Sequence, residues 1–348
     1  MTTSDLASRH ARLPGVTFTP LAVSGLVCGY SFQEGEAPQA LEPAEVAGAL
    51  AASRGWVWLH LNLTDRLARN WLAELGLLSE DARALFAASD EPLSLAAAEG
   101  MAHGVIADFQ SELDEKTDTI GRLRFALGER FVITGRRHPL QSIQSIRRQI
   151  QQGPPLEQPG AIIEMVADRF CDAVVRLNAR MTADLDQAED HVVAEMVEKE
   201  RARVVSVRRL ALRLHRQLSA LTGVFQDWAE EDDEEERSPA LNFDASRLAA
   251  RLDSLDHDIL TVQDRAKLLQ DEVAARLAED TNRSLRALSI MTALLLPGSL
   301  VAGVFGMNTH GLPFLDTPGG FWFAMAIGGA ATALFYWILL RVGAGLGR

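Results

Sequence analysis

The hydrophobic pattern of the chain changes twice, from short alternating runs to long helical repeats and then to two unbroken apolar stretches. These stretches are Leu288–Met307 and Phe321–Leu340, each 20 residues long and free of charge. Twenty helical residues at ~1.5 Å each cross a bilayer core of ~30 Å. Between Arg286 and Asp316 there is no Asp, Glu, Lys or Arg. The pattern predicts transmembrane helices over residues 288–307 and 321–340, an outer loop over residues 308–320, and a cytoplasmic tail over residues 341–348.

The short alternating runs predict a cytoplasmic α/β domain over residues 15–150, after a polar tail over residues 1–14. Asp65 and Ser79 precede helical patterns that reach Leu75 and Ala88, and both are favoured N-cap residues. A further helix follows Pro139. Strands are predicted at residues 56–63, 105–109, 120–127 and 130–134, and a linker at residues 151–159.

The next segments have a helical pattern without breakers. Ala161–Thr222 and Ala240–Leu296 contain 62 and 57 residues and neither Gly nor Pro. Because typical helices have roughly 11–12 residues, these segments predict very long stalk helices over residues 160–287. The second continues into the first span and would be ~100 Å long from about Asn242 to Met307. The second segment carries an apolar heptad seam for neighbouring helices, formed by Leu248, Leu252, Leu255, Ile259, Val262, Ala266, Leu269 and Val273.

Acidic residues raise the question of cation binding on the stalk. Glu230–Glu236 is a run of seven acidic residues, which we place at a hairpin tip between the long helices. A solvated tip and a cation-attracting tip both fit such a run. Asp271 on the stalk is a candidate ligand for a regulatory cation between subunits, the alternative being an ordinary solvated carboxylate.

The net charge of −13 disfavours nucleic-acid binding, which needs a basic face. An acidic field suits a protein that gathers cations, although it also simply keeps a protein soluble. Met1–Pro14 lacks the apolar core of a signal peptide. Arg283, Arg286, Arg341 and Arg348 flank the two spans, whereas the connecting loop has no basic residue. The positive-inside rule therefore predicts that both termini face the cytoplasm, where Cys28 and Cys171 would be free thiols.

Two spans cannot enclose a water-filled path, so a pore requires several copies of the chain. Counting back from Asn308 in steps of three or four defines one helix face, the pore face, with Ser299, Leu296, Thr292, Leu288, Leu285 and Asn282. Polar groups can hold a hydrated ion, and aliphatic rings can gate by dewetting. A helix-packing face is the alternative, for which Gly298, Ala302 and Gly303 are equally suited.

The loop after the first span offers neutral ligands. Asn308, Thr309 and His310 supply an amide, a hydroxyl and an imidazole, and no carboxylate occurs before Asp316. Such groups would hold a divalent cation through its water shell. His310 could also ligate zinc directly, since imidazole suits that metal, or it could be an ordinary loop histidine.

Gly306-Met307-Asn308, before the last span, resembles the signature of the CorA superfamily of divalent-cation transporters. Within that superfamily the chain is most similar to the zinc transporter ZntB branch. The similarity includes Trp58–Asn62, Arg130–Arg137 (RFVITGRR), Leu296–Ser299 and Gly311–Pro313.

The resemblance implies a homopentameric funnel in the bacterial inner membrane, with the first span lining the pore and the second facing lipid. Gly306, Met307 and Asn308 would form the pore mouth, and Asn282, Leu285, Leu288, Thr292, Leu296 and Ser299 would line the path. The implied partners are lipid, further copies of the chain and divalent cations. No cofactor is implied, and the transported ion would be Zn²⁺ or the related Mg²⁺, Co²⁺, Ni²⁺ or Cd²⁺.

The choice of metal depends on residues near the signature. Magnesium channels of the superfamily usually carry an acidic residue soon after it, whereas Thr309–Leu315 has none, which favours zinc. Met307 is instead the magnesium-type residue, and Phe314–Pro318 resembles an insertion. A magnesium or cobalt channel is therefore an alternative, as is a non-conducting membrane-anchored sensor or scaffold. An enzyme is not predicted, because the chain has no Gly-rich phosphate loop, HExxH motif or Cys cluster.

Overall fold

The computed structural model describes residues 23–52, 54–112, 115–154, 156–193, 197–230, 243–307 and 319–345. The chain divides into two compact units. Unit 1 contains residues 1–189 and 203–267, and unit 2 contains residues 190–202 and 268–348.

Seven strands and eight helices make up the described part of the chain. The strands are β1 (Leu26–Phe32), β2 (Gln39–Ala40), β3 (Trp56–Asn62), β4 (Ser94–Ala98), β5 (Met101–Glu112), β6 (Glu115–Gly128) and β7 (Phe131–Arg136). The helices are α1 (Val46–Ala51), α2 (Arg66–Glu74), α3 (Glu80–Ala87), α4 (Gln141–Gln152), α5 (Gly160–Val193), α6 (Val197–Glu230), α7 (Ala245–Gly306) and α8 (Gly320–Gly345).

The strands of unit 1 form one sheet in the order β2-β1-β3-β7-β6-β5-β4. Only β3 and β7 pair in parallel; the other neighbours are antiparallel. One face packs with α1, α2 and α3 around a core that includes Leu59, Leu72 and Phe86. On the other face α4 reaches Tyr30 through Gln151, and Phe170 of α5 stacks on Phe109 of β5. The sheet therefore lies between two helical layers.

The sequence predicted most elements of this sheet domain correctly. Asp65 accepts a hydrogen bond from the Leu67 N–H at 2.8 Å, and Ser79 accepts one from the Ala82 N–H at 3.2 Å. Both predicted N-caps are therefore confirmed, and each of the four predicted strands coincides with an observed one. Strands β1, β2 and β4 and helix α1 were not predicted, because they are short or carry glycine and alanine rather than a clear alternating pattern.

The prediction of one very long helix over Ala161–Thr222 is wrong. The structure has two helices of 34 residues each, α5 and α6, in this part of the chain. A carboxylate oxygen of Asp184 lies 4.0 Å from Nε of Arg203. In a continuous helix these two residues would be ~28 Å apart, so α5 and α6 run antiparallel. The lack of Gly and Pro therefore does not prevent a chain reversal here.

The second very long helix is confirmed as α7, which has 62 residues. All eight apolar heptad positions are buried, which confirms that this seam packs against neighbouring groups. Within unit 1 the helix is tied to α5 by ion pairs: Arg251 binds Asp168 and Asp172, and Arg265 binds Glu189 through two hydrogen bonds of 2.6 and 2.8 Å. The acidic run lies outside the described residues after Glu230.

Candidate functional site

The apolar helices of unit 2 expose their hydrophobic side chains. The later part of α7 and residues Gly320–Ile338 of α8 are long and apolar enough to cross a membrane, and no residue in either apolar window is buried. Exposed apolar surface of this extent marks a contact with lipid or with another protein surface. Unit 2 therefore has the composition of a membrane hairpin.

Every residue predicted for the pore face is exposed on α7. Leu288 is 61% exposed and Leu296 is 58% exposed, although both are large aliphatic side chains. The polar members Asn282, Thr292 and Ser299 are likewise exposed. The face is thus available for contact with an ion path or with other helices.

The two hydroxyl groups of this face hydrogen bond to their own helix. Thr292 Oγ1 donates to the Leu288 carbonyl at 2.9 Å, and Ser299 Oγ donates to the Leu296 carbonyl at 3.0 Å. Each hydroxyl oxygen keeps lone pairs that can accept hydrogen bonds from the water shell of a cation. Pro297 lies inside α7 and has no N–H, so it leaves the Ala293 carbonyl without its usual helical partner.

Small residues form the seam between α7 and α8. A Cβ placed on Gly328 would lie 3.8 Å from Val301 Cγ1, and one on Gly298 would lie 3.8 Å from Thr332 Oγ1. Beside this seam is an apolar groove of about 430 Å³. Its lining includes Gly298, Val301, Ala302, Phe305, Ala324 and Gly329.

The seam and the pore face lie on different sides of α7. With 3.6 residues per turn, Gly298, Val301 and Phe305 are displaced by roughly a third to half a turn from Leu285, Thr292 and Ser299. Gly298 and Ala302, which the sequence offered as packing residues, do face α8, whereas Gly303 has no neighbour within 4 Å of an added Cβ among the described residues. The packing face therefore occurs on one side of α7, while the role of the exposed residues on the other side as a pore face stays a prediction.

The predicted mouth residues lie at the end of the described part of α7. Gly306 is the last helical residue, and Met307 follows it with 67% of its surface exposed. Asn308 and His310 lie outside the described residues, so their roles stay predictions.

The role of Asp271 as a metal ligand between subunits stays a prediction. Asp271 is exposed on α7. No group of three or more His, Cys, Asp or Glu side chains that could hold a metal occurs among the described residues. Cys28 and Cys171 are free and buried, as predicted for the thiols.

The buried histidine of β3, His60, has a structural role in unit 1. His60 is fully buried on β3, where burial, with a smaller effect of Arg136, lowers its pKa to about 3. Thr134 Oγ1 donates to the Leu59 carbonyl and accepts from Trp58 Nε1, so it must also accept from His60 Nδ1–H at 2.8 Å. His60 is therefore a neutral imidazole that ties β3 to β7.

This arrangement, a sheet domain followed by a 62-residue helix and a second apolar helix, is that of a CorA-type divalent-cation transporter. The chain belongs to the family of CorA-like Mg²⁺ transporter proteins, whose sequence model matches residues 53–341. The match covers both the sheet domain and the apolar helices.

Three known proteins resemble the chain over most of its length. The divalent cation transporter CmaX of Pseudomonas aeruginosa is 28% identical over 299 residues, which are 82% of this chain and 86% of CmaX. The structure of full-length CmaX gives a TM-score of 0.72 at 23% identity, covering 91% of this chain and 97% of CmaX.

Two further solved structures share the fold at lower identity. The CorA magnesium transporter of Methanocaldococcus jannaschii gives a TM-score of 0.65 at 15% identity, covering 90% of this chain and 98% of that protein. The cytoplasmic domain of ZntB from Vibrio parahaemolyticus gives 0.54 at 12% identity, covering 73% of this chain and 98% of that domain. These two likenesses bear on the fold alone.

Proposed function

We propose that this transporter moves zinc through a pore lined by the exposed face of α7 in five copies of the chain. The observation that carries the proposal is the separation of two surfaces on one helix. The side of α7 with Gly298 and Val301 is occupied by α8. The opposite side is left exposed and bears the hydroxyls of Thr292 and Ser299.

Polar and aliphatic side chains alternate along the pore face. Asn282, Thr292 and Ser299 offer polar groups, while Leu285, Leu288 and Leu296 offer aliphatic side chains between them. A hydrated ion would be held at the polar levels by neutral acceptors, weakly enough to move on. The aliphatic levels would close the path when water leaves them.

The preference for zinc rests on the neutral character of the mouth. Asn308 would form the outer ring, and His310 adds an imidazole, which zinc accepts as a ligand more readily than magnesium does. The name of the relative CmaX refers to divalent cations in general, and the name of the archaeal CorA refers to magnesium. A magnesium channel with the same architecture is therefore the second candidate.

Orientation in the membrane follows from the basic residues at the spans. Arg283 and Arg286 precede the first span and Arg341 follows the second, whereas residues 308–320 contain no Lys or Arg. We place this loop outside the bacterial inner membrane and the sheet domain in the cytoplasm. We also propose that zinc movement is coupled to proton movement, and transport measured with a pH gradient across the membrane would test this coupling.

The test of transport is reconstitution of the full chain in liposomes that contain a zinc-sensitive or a magnesium-sensitive dye. We expect saturable zinc uptake that exceeds magnesium uptake, measured with and without a pH gradient. Asn308→Ala should change the ratio of zinc to magnesium uptake, and His310→Ala should lower zinc uptake more than magnesium uptake. Uptake of magnesium but not zinc would favour the second candidate, and no uptake of any divalent ion would refute transport.

A matched pair of threonines tests the pore face itself. Thr292→Val removes a hydroxyl from the pore face, and Thr332→Val removes one from the seam in α8. Each hydroxyl donates to the carbonyl four residues earlier at 2.9 Å, so each substitution removes the same kind of intrahelical hydrogen bond. We expect Thr292→Val to lower zinc flux several-fold while Thr332→Val leaves it near normal. Equal effects of the two substitutions would contradict the assignment of the face.

A further inference from the structure

Three arginines converge on the α3 side of the sheet, near the C-terminal end of the interior strand β7. Arg122 and Arg124 are two residues apart on β6 and therefore point to the same side of the sheet. Strand β6 pairs antiparallel with β7, with Leu123 opposite Arg136 and Arg124 opposite Gly135. Continuing this register places Arg137 opposite Arg122. Like charges directly opposite each other destabilise a sheet, so this cluster needs compensation.

Two of these guanidinium groups are fixed by the end of α3. Arg124 Nη2 lies 3.3 Å from the Ala88 carbonyl oxygen and 3.2 Å from that of Ser89, and Arg137 Nη2 lies 2.7 Å from the same Ala88 oxygen. Ala88 is the C-cap of α3, where cations are favoured by the helix dipole. Backbone carbonyls thus hold two guanidiniums close together.

The charge of the cluster is not balanced by direct ion pairs. Within the described ranges, none of the three guanidiniums has a carboxylate oxygen within 4.0 Å. Arg124 is 2% exposed, and burial lowers its pKa, as does the neighbouring charge of Arg137 to a smaller extent. Asp90 and Glu91 oppose this effect from a distance. Three cations face two carboxylates, and the Nε atoms of Arg124 and Arg137 are buried without a partner in the described structure.

We propose that Arg122, Arg124 and Arg137 form a binding site for a tetrahedral oxyanion of the phosphate class. Guanidinium groups present paired N–H donors that match two oxygens of a phosphate, and several of them around one anion share its charge. Arg122 is half-buried on the same side of β6 as Arg124 and supplies the third guanidinium of the site. The ligand is either free phosphate or the phosphate group of a small ester.

The site is distinct from the ion path proposed above. It lies in unit 1 and contains no residue of the pore face. In a chain with a net charge of −13, an anion site is not expected from bulk charge. Anion binding here would stabilise the end of α3 against β6 and β7, because it would remove the repulsion among the three cations.

The test uses the full chain in detergent and equilibrium dialysis with radiolabelled inorganic phosphate, at constant ionic strength set with chloride. We expect saturable binding of about one phosphate per chain. Arg122→Gln should weaken this binding at least tenfold, because it removes one of the three guanidiniums. Among the described residues the Arg122 guanidinium donates only to the carbonyl of its neighbour Gly121, so this arginine is the member least needed for folding. Arg148→Gln is the matched control, since Arg148 is an exposed arginine on α4 whose loss changes the net charge equally.

A second measurement distinguishes a loss of phosphate binding from a loss of folding. Circular dichroism should show the same helix content in both variants, and phosphate should raise the melting temperature of the wild type and of Arg148→Gln but not of Arg122→Gln. Competition by glycerol 3-phosphate would assign the site to phosphate esters, and its absence would assign the site to free phosphate. No saturable phosphate binding, or equal weakening by Arg148→Gln, would overturn the proposal.

Discussion

The seam between α7 and α8 gives the sharpest stability prediction, because two adjacent glycines of α8 have different surroundings. A Cβ on Gly328 would meet Val301 Cγ1 at 3.8 Å, Val301 Cβ at 3.9 Å and Gly298 Cα at 4.0 Å. A Cβ on Gly329 would meet nothing within 4 Å among the described residues. Alanine should therefore fit at either position, and a larger side chain should distinguish them.

The magnitude follows from the reach of a valine side chain. Its γ carbons extend ~1.5 Å from Cβ, so Gly328→Val brings carbon atoms roughly 0.5–1.5 Å closer to α7, inside the ~3.5–4.0 Å optimum for carbon contacts. Valine cannot rotate away easily, since one χ1 rotamer dominates in helices. Overpacking of this kind costs about 1–3 kcal/mol.

The control for this prediction is Gly329→Val, which makes the same change in helix propensity at the same depth of α8. We expect Gly328→Val to reduce the free energy of unfolding by about 1–3 kcal/mol more than Gly329→Val does. The assay is titration with SDS in mixed micelles, with Gly328→Ala as a second control that should be tolerated. If the two valine variants unfold at the same SDS fraction, the seam is not where the structure places it.

Two further predictions concern unit 1. Thr134→Val leaves the N–H groups of Trp58 and His60 buried and unpaired and should cost about 2–4 kcal/mol, whereas Thr134→Ser should retain most of the stability; urea unfolding of the two variants checks this. Burial raises the pKa of Asp108 to about 7, although hydrogen bonds from Ser142 oppose the shift. Ionisation of this group is therefore more costly in the folded state, and stability should fall by up to about 4 kcal/mol as pH rises from 4 to 7 and then level off. Asp108→Asn should flatten this part of the pH profile, and an unchanged profile would contradict the burial effect.

The sequence predicted the parts of the fold that depend on local signals. Asp65 and Ser79 start helices because their side chains satisfy free N–H groups, which is a local property. The heptad positions of α7 are buried because a helix with one apolar stripe needs neighbours. The reversal between α5 and α6 could not be found in this way, because it occurs where neither glycine nor proline interrupts the helical pattern.

In the candidate site, too, some features depend on local spacing and others on contacts between residues distant in sequence. The alignment of Thr292 and Ser299 on one exposed face follows from helical spacing, and the role of this face as a pore lining stays a prediction. The side of α7 that packs on α8 was not fixed by spacing, because Gly298 and Gly303 are equally small. Only the pairing of α7 with Gly328 of α8 separates them, and this is a contact between residues distant in sequence.

The most direct test of the account is zinc flux through a cysteine variant of the pore face. Ser299→Cys places a thiol on that face, and Val301→Cys places one in the seam with α8; the native Cys28 and Cys171 are buried and provide little background. A charged methanethiosulfonate reagent should block zinc uptake by liposomes that contain Ser299→Cys and leave uptake by Val301→Cys unchanged. Equal block of both variants, or block of neither in actively transporting liposomes, would contradict a pore lined by this face of α7.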